Sequence, residues 1–251
     1  MNVLFVPSIG LDPSLLERLA TSVDHPIRYK VAYNNGPTGA LEEFRNNHPD
    51  WIVKEPAIGN RGAAGSWNDC AKMFPAATEW LLMNEDAWFL PGYLRDICNC
   101  VRAFPDAPMV YLNNSEAYYC FVWTRRALDL VGTFDENFWP AYYEDCDYKI
   151  RLKLCGFNGF NYALQGLLPP LPHGKPRSGG TNYSAFIQGC GLLNRQYWKR
   201  KWGSNNHYHN LYGTPYSDHR LTFKDWVWYP EHRAKLYPLW EAFMENPSIY
   251  D

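Results

Sequence analysis

The stretch WLLMNEDAWFLPGYL, residues 80–94, contains a fully apolar run that ends abruptly in polar residues. Its first four residues are typical of a buried strand, and Asn84, Glu85 and Asp86 follow directly. In open parallel α/β sheets, ligands bind beyond the carboxyl ends of the strands, so these acids are expected to face a crevice. Mg²⁺ and Mn²⁺ take oxygen ligands and are often held by one or two carboxylates plus substrate phosphates. A solvated turn explains the same residues equally well.

The residues before this stretch alternate between strand and helix patterns. Short apolar runs at residues 3–6 and 51–53, and alternating apolar residues at 27–33, predict strands, and the segments after them predict helices. Asp12 followed by Pro13 has the form of an N-cap with proline at the first helical position. Strands that alternate with helices indicate a parallel, Rossmann-like sheet.

Polar or glycine-containing segments stand at the ends of the predicted strands, at residues 7–8, 34–36 and 59–62. Glycines let backbone amides approach a diphosphate, and a helix N-terminus favours anions. Taken singly, each segment is better explained as a turn. The first strand is not followed by G-x-G-x-x-G, and the chain has no Walker P-loop, which argues against a dehydrogenase and a P-loop enzyme.

The composition is that of a globular protein with an unusually high aromatic content. Of 251 residues, 46% are hydrophobic, 20% charged and 17% aromatic, which allows one large domain or two small ones. A net charge of −2 gives no argument for a nucleic-acid partner. The sequence shows no signal-peptide pattern, no apolar run of bilayer length and seven irregularly spaced cysteines, so a cytoplasmic protein with reduced thiols is expected.

The stretch at residues 80–94 resembles the metal-binding DxD segment of the family-2-type, GT-A fold nucleotide-sugar glycosyltransferases. Those chains often have an apolar strand, Asn/Asp-x-Asp, then Pro-Gly and a helix. Here Asn84 replaces the first acid of the motif. The resemblance implies that Asp86 is the ligand of Mn²⁺ or Mg²⁺, with Glu85 second, and that Asn84 and Glu85 contact the nucleotide.

Two turns in the first half resemble the nucleotide-binding segments of the same family. Residues 34–36 stand where the family has its Asp-Asn-Gly-Ser turn, which meets the nucleoside. Residues 60–68 match its Asn-x-Gly…Asn helix start, which lies under the nucleotide. The resemblance therefore implies nucleotide contacts from six further residues, namely Pro7, Asn34, Asn35, Asn60, Gly62 and Asn68.

The most specific match lies in the second half of the chain. Family members carry Arg, then Val-Gly-x-Phe-Asp-Glu-x-Phe, then Glu-Asp-x-Asp and a helix. This chain has Arg125, VGTFDENF at residues 131–138 and EDCD at residues 144–147.

The family precedent puts the catalytic base at the second residue of Glu-Asp. Asp145 is therefore implied to take the proton from the attacking sugar hydroxyl, a role that typically contributes about 10²–10⁴-fold. Glu144 is the alternative base, and acids that merely cap a helix are the other explanation. Asp147 is expected to pair with Arg151 one helical turn later.

A loop and an aromatic tail complete the resemblance. In many relatives a downstream histidine completes the metal site and a basic glycine-rich loop covers the diphosphate, which implies these roles for His173, Lys175 and Arg177. An ordinary surface loop is an equal alternative. Aromatic rings cover sugar faces, so Tyr142, Tyr143 and Trp202 are predicted to form an acceptor wall. A packing arm or a dimer contact explains the tail as well.

The resemblance implies a single GT-A domain over residues 1–251, with a mostly parallel sheet flanked by helices and a C-terminal aromatic-rich extension. Residues 1–112 are expected to bind the nucleotide-sugar, and residues 113–251 the acceptor. The implied reaction moves a sugar, by default from a UDP-sugar, to a saccharide or glycan hydroxyl with inversion. A sugar nucleotidyltransferase and a catalytically silent sugar-binding protein, the latter because of Asn84, are the alternatives. The oligomeric state is left open.

Overall fold

The structure is a computed structural model that describes residues 1–112, 118–157, 160–161, 171–172, 182–202 and 230–245. His173, Lys175 and Arg177 lie outside these residues. The strands are β1 Val3–Ser8, β2 Tyr29–Asn34, β3 Ile52–Lys54, β4 Glu79–Met83, β5 Met109–Tyr111, β6 Cys120–Thr124 and β7 Phe160–Asn161. The helices are α1 Pro13–Thr21, α2 Glu42–Asn47, α3 Gly62–Met73, α4 Tyr93–Ala103, α5 Arg125–Val131, α6 Glu144–Leu154, α7 Asn182–Trp202 and α8 Pro230–Glu245.

The strands form one mostly parallel sheet, as the sequence predicts, in the order β3-β2-β1-β4-β6-β5-β7. The pairs β1·β2, β1·β4, β2·β3 and β5·β7 are parallel, whereas β6 runs antiparallel to both β4 and β5. The apolar runs did not reveal that reversal. It places the start of β6, at Cys120, beside Met83 at the end of β4. The ends of β1, β2 and β4 and the start of β6 therefore share one edge of the sheet.

Helices cover both faces of the sheet. In β4, Leu81 and Met83 pack in a core with α1, α2 and α4, whereas Trp80 and Leu82 pack in a second core with α3, α5 and α6. Successive side chains of a strand point to opposite faces, so a strand buried on both faces needs a continuous apolar run. Residues 80–83, WLLM, satisfy this requirement. No helix in the described ranges combines the length and apolarity needed to cross a membrane.

A buried ion-pair network fixes α6 to the end of α7. The side chain of Lys201 is 5% exposed, and its Nζ lies 2.7 Å from Asp135 Oδ2 and 2.6 Å from Asp147 Oδ1. Asp147 also accepts hydrogen bonds from Arg151 Nε at 2.8 Å, as predicted, and from Trp202 Nε1 at 2.9 Å. The ammonium of Lys201 is the largest influence that keeps the pKa of Asp147 below its usual range against the opposing effect of burial. One lysine thereby binds both the Phe-Asp-Glu segment, through Asp135, and the first turn of α6, through Asp147.

Replacing Lys201 with methionine is expected to destabilise the protein by about 3–5 kcal/mol, because it leaves two buried carboxylates without their shared cation. Urea denaturation measures the effect. The control is Lys199→Met, at an exposed position of the same helix. Equal losses of unfolding free energy in the two variants would contradict this role of the network.

Candidate active site

The acids that follow β4 are held at the shared edge by contacts to β1 and β6. The Ser8 hydroxyl, at the end of β1, donates a hydrogen bond to Glu85 Oε2, and Ser8 Oγ accepts one from the Gly10 amide at 3.0 Å. The Asn84 amide donates to the Tyr119 carbonyl oxygen at 2.8 Å, just before β6. The segment that carries Asp86 is therefore fixed on both sides.

Glu85 has an unusual acidity for an acid at a strand end. The pKa of its carboxyl is raised to about 7, chiefly by burial and also by the neighbouring charge of Asp86, while hydrogen bonds from Ser8 and the Ile9 amide oppose the rise. A cation bound beside these two acids would favour their ionised forms. The edge thus offers oxygen donors of the kind that a hard divalent cation takes.

The second acidic segment begins α6 and follows two residues with left-handed backbone. Tyr142 and Tyr143 have φ of 75° and 78°, a conformation that costs about 1–3 kcal/mol for a residue with a side chain. Glu144 is 6% exposed. Burial, followed by the charge of Asp145, raises the pKa of Glu144 well above its usual range. Asp145 is only half-buried, and its Oδ1 accepts a hydrogen bond from the Cys146 amide at 2.7 Å.

Each acidic segment lies near one of the two tyrosines that precede β6, and these tyrosines pack on opposite faces of the sheet. Burial raises the pKa of both Tyr118 and Tyr119, which precede β6. The charge of Asp145 adds to the effect on Tyr118, and the charge of Asp86 adds to the effect on Tyr119. The pKa of each of these adjacent tyrosines is therefore raised in part by the charge of one of the two acids. Asp86 and Asp145, separated by almost sixty residues in sequence, flank one short stretch of chain.

The asparagine side chains of the predicted nucleoside turn bond to protein groups, within the turn and in α3. Asn34 donates to the Pro37 carbonyl oxygen at 2.8 Å and accepts from the Gly36 amide at 2.9 Å. Asn35 donates to Ser66 Oγ at 2.7 Å. Both asparagines are buried, while Pro7 is partly buried in β1. The two asparagine side chains thus shape the edge of the crevice by binding protein groups.

The first three amides at the start of α3 donate to protein oxygens. The amides of residues 61–63 donate to Asn35 Oδ1, Asn60 Oδ1 and the Pro140 carbonyl oxygen, at 2.9, 2.7 and 2.7 Å. Gly62 has φ of +69°, and a Cβ there would lie 2.6 Å from the Pro140 oxygen. The glycine is needed for close approach of two backbone segments. These three amides thus bind protein oxygens, and the nucleotide contacts expected of Asn60 and Gly62 stay a prediction.

Asn68 likewise connects α3 to the Phe-Asp-Glu segment. Its Oδ1 accepts a hydrogen bond from the Phe134 amide at 2.9 Å, and its Nδ2 donates to the Phe134 oxygen at 2.9 Å and to Glu136 Oε1 at 3.0 Å. Arg61 donates to the other oxygen of Glu136 at 2.8 Å. Asn68, which matches the family motif, thus takes part in a buried hydrogen-bond network between α3 and the Phe-Asp-Glu segment.

Helices α7 and α8, in the aromatic C-terminal region, contact the loop before α6 and the start of that helix. Asn194 of α7 donates to the Trp139 and Ala141 carbonyl oxygens at 3.1 and 2.9 Å. Its Oδ1 lies 3.2 Å from His232 Nε2 of α8. Trp202 is 5% exposed and bonds Asp147, so its predicted place on the acceptor wall is corrected to a place in the core. No local pattern reveals these contacts, because their partners are about fifty residues away in sequence.

The chain enters the predicted histidine loop beside the first acidic segment. The Pro172 carbonyl oxygen accepts a hydrogen bond from the Trp88 amide at 3.2 Å, two residues after Asp86. Tyr119 Oη lies 3.5 Å from the Leu171 oxygen. The residue that precedes His173 in the chain is therefore anchored next to the candidate metal ligands. Among the described residues, no three His, Cys, Asp or Glu side chains group as a metal site.

Similar solved structures decide the fold. A mannosyltransferase, PcManGT from Pyrobaculum calidifontis in complex with GDP-Man and Mn²⁺, matches with a TM-score of 0.56 at 14% identity, over 98% of this chain and 76% of that chain. The chain has a GT-A glycosyltransferase fold. S. aureus TarS 1–349 in complex with UDP-GlcNAc matches this GT-A chain with a TM-score of 0.50 at 12% identity, over 77% of this chain and 67% of that chain.

These likenesses show the fold alone, because the sequence identities are low. No protein-family model matches the GT-A chain, and no curated protein matches its sequence. The activity therefore has to be argued from the two acidic segments.

Replacing Gly62 with alanine is expected to cost about 1–3 kcal/mol more than replacing Gly59 with alanine, because only the first Cβ collides with backbone. Both glycines have positive φ, +69° and +62°, but no atom of the described chain lies within 4 Å of a Cβ on Gly59. Thermal or urea unfolding of the two variants measures the difference. Equal destabilisation would show that the contact with Pro140 is not tight.

Proposed function

We propose that the protein transfers a sugar from a nucleotide-sugar to a hydroxyl of a saccharide or glycan, assisted by a divalent cation. The supporting observation is the placement of two acidic segments near the start of β6: the Asn84 amide donates to the Tyr119 carbonyl oxygen at 2.8 Å, and the charge of Asp145, in the first turn of α6, acts on Tyr118. One acidic segment suits a cation and the other suits proton removal. Residues 1–112 would bind the donor and residues 113–251 the acceptor, within one domain. Fold neighbours in complex with GDP-Man and UDP-GlcNAc favour a nucleotide-sugar donor, with a UDP-sugar as the default.

Asp86 and Glu85 would hold Mn²⁺ or Mg²⁺. Two carboxylates suit a cation that completes its coordination with diphosphate oxygens and water. His173 is the proposed additional ligand, supported by the anchoring of Pro172 beside Trp88. The bound cation would supply positive charge to the nucleoside diphosphate as it leaves. Lys175 and Arg177 are proposed to pair with the same diphosphate.

Asp145 is the proposed general base. A base has to be ionised before it accepts a proton, and burial raises the pKa of Glu144 well above its usual range, which disfavours the ionised form of that carboxyl. Asp145 follows Glu144 directly and is partly open to solvent. It would take the proton of the acceptor hydroxyl on the side opposite the leaving diphosphate. Such an in-line attack inverts the anomeric carbon.

Substitution of either aspartate is expected to abolish transfer, through different steps. Asp145→Asn removes the base and should lower kcat by about 10²–10⁴-fold while nucleotide binding persists. Asp86→Asn should also weaken the metal-dependent binding of the nucleotide. Product formation and calorimetric binding of nucleoside diphosphate with Mn²⁺ measure the two effects. Asp129→Asn, at an exposed site on α5, is the control.

The products separate the proposal from its alternatives. Release of nucleoside diphosphate from a nucleotide-sugar indicates a transferase, whereas exchange of pyrophosphate indicates a nucleotidyltransferase. Residues 9–12 after β1 contain no lysine or arginine, which disfavours the nucleotidyltransferase. Binding without either product would identify a silent sugar-binding protein. Equal nucleotide affinity in the Asp86→Asn and Asp145→Asn variants would contradict the assigned roles.

A further inference from the structure

A buried histidine on α8 contacts the asparagine that holds the loop before α6. His232 is 8% exposed, and its Nε2 lies 3.2 Å from Asn194 Oδ1 of α7. The imidazole also stacks on Tyr197 of α7, with the two ring centroids 5.0 Å apart. The histidine is therefore fixed against α7 by a polar contact and a ring contact.

The direction of each hydrogen bond at Asn194 follows from the partners of its Nδ2. The carbonyl oxygens of Trp139, Ala141 and Tyr142 lie 3.1, 2.9 and 3.4 Å from that nitrogen. A carbonyl oxygen can only accept a hydrogen bond, so the amide nitrogen faces the loop and the amide oxygen faces His232. Because the amide oxygen also only accepts, His232 Nε2 has to be the donor.

The imidazole is in the form that this bond requires. Burial is the largest influence on the pKa of His232, which is lowered to about 4. Among the charges near the ring, Asp135 and Glu231 oppose this shift, whereas Lys235 and Arg200 add to it. The ring is therefore neutral near pH 7 and carries one proton. The contact with the amide oxygen of α7 assigns that proton to Nε2.

The loop that Asn194 holds leads directly to the proposed base. Tyr142 and Tyr143 both have positive φ, a conformation that persists only where surrounding contacts determine it. Glu144 and Asp145 are the next two residues. A misplacement of a reacting group by about 1 Å can cost about 10²-fold in rate. The side chain that fixes this loop therefore matters for the position of the base.

We propose that His232 is a positioning residue for the transfer reaction. Its Nε2–H orients the Asn194 amide, and the amide holds the loop that places Asp145 to accept the proton. This inference rests on the proposed glycosyl transfer and adds a residue of α8 that acts through α7. The sequence does not reveal the role, because His232 and Asn194 are 38 residues apart.

Two substitutions separate the hydrogen bond of His232 from its ring contact. His232→Gln keeps an N–H donor, whereas His232→Phe keeps a ring but has no donor. The readout is kcat for release of nucleoside diphosphate, with UDP-N-acetylglucosamine, UDP-glucose and GDP-mannose as the probes. His232→Phe should lower kcat by about tenfold or more and His232→Gln by less than about threefold. The Kd of nucleoside diphosphate with Mn²⁺ should stay at the wild-type value in both.

A double-mutant cycle tests whether the histidine acts through the asparagine. Asn194→Ala should lower kcat, and adding His232→Phe to it should lower kcat by less than about twofold more, because the link is already removed. The control is Phe243→Leu, at a buried position near the other end of α8. It should lower the unfolding midpoint and keep the wild-type kcat.

The nitrogen chemical shifts of the imidazole give a readout that does not depend on turnover. The signals that disappear in His232→Gln should be those of a neutral ring protonated at Nε2 near pH 7. A proton on Nδ1 instead would overturn the proposal. So would a wild-type kcat in His232→Phe, or a full additional loss when it is combined with Asn194→Ala. Absence of nucleoside diphosphate release from the wild-type protein would contradict the proposed transferase itself, which is a separate observation.

Discussion

The position of the candidate catalytic segment depends on one buried lysine. Lys201 brings together Asp135 and Asp147, which lie on either side of the loop that leads into α6. Tyr197 adds a hydrogen bond to Asp135 at 2.8 Å, so the end of α7 binds both acids. A buried charge is tolerated only when it is paired, and therefore the two carboxylates and the ammonium have to assemble together. The start of α6 is fixed as a consequence.

The same support keeps the loop before α6 in an uncommon conformation. Two consecutive tyrosines with positive φ persist only where surrounding contacts determine them. Asn194 binds the carbonyl oxygens of this loop, and Phe138 and Trp198 pack against Tyr143. The result is a rigid presentation of Glu144 and Asp145 at the sheet edge. Binding sites gain precision when their side chains are held by a second layer of packed residues.

The sequence predicts β4, because a strand buried on both faces requires a continuous apolar run such as Trp80 to Met83, but it did not reveal the antiparallel direction of β6. It also predicts which acids stand at the edge. The expected nucleotide contacts of Asn68 and the expected exposure of Trp202 did not allow for their buried partners in the chain. Asn68 binds Phe134, 66 residues away, and Trp202 binds Asp147, 55 residues away. A polar motif cannot reveal whether its partner is a ligand or a distant segment, since both satisfy the same hydrogen bonds.

The central claim is that the edge of the sheet at Asp86 binds a nucleotide together with a divalent cation. A thermal-shift screen of nucleoside diphosphates and nucleotide-sugars, with and without Mn²⁺, tests it most directly. A ligand at about 100 times its dissociation constant adds roughly 2.7 kcal/mol to stability. The account predicts stabilisation by nucleotides of one base, larger with Mn²⁺ and lost in Asp86→Asn. No shift with any nucleotide, or an undiminished shift in Asp86→Asn, would contradict it.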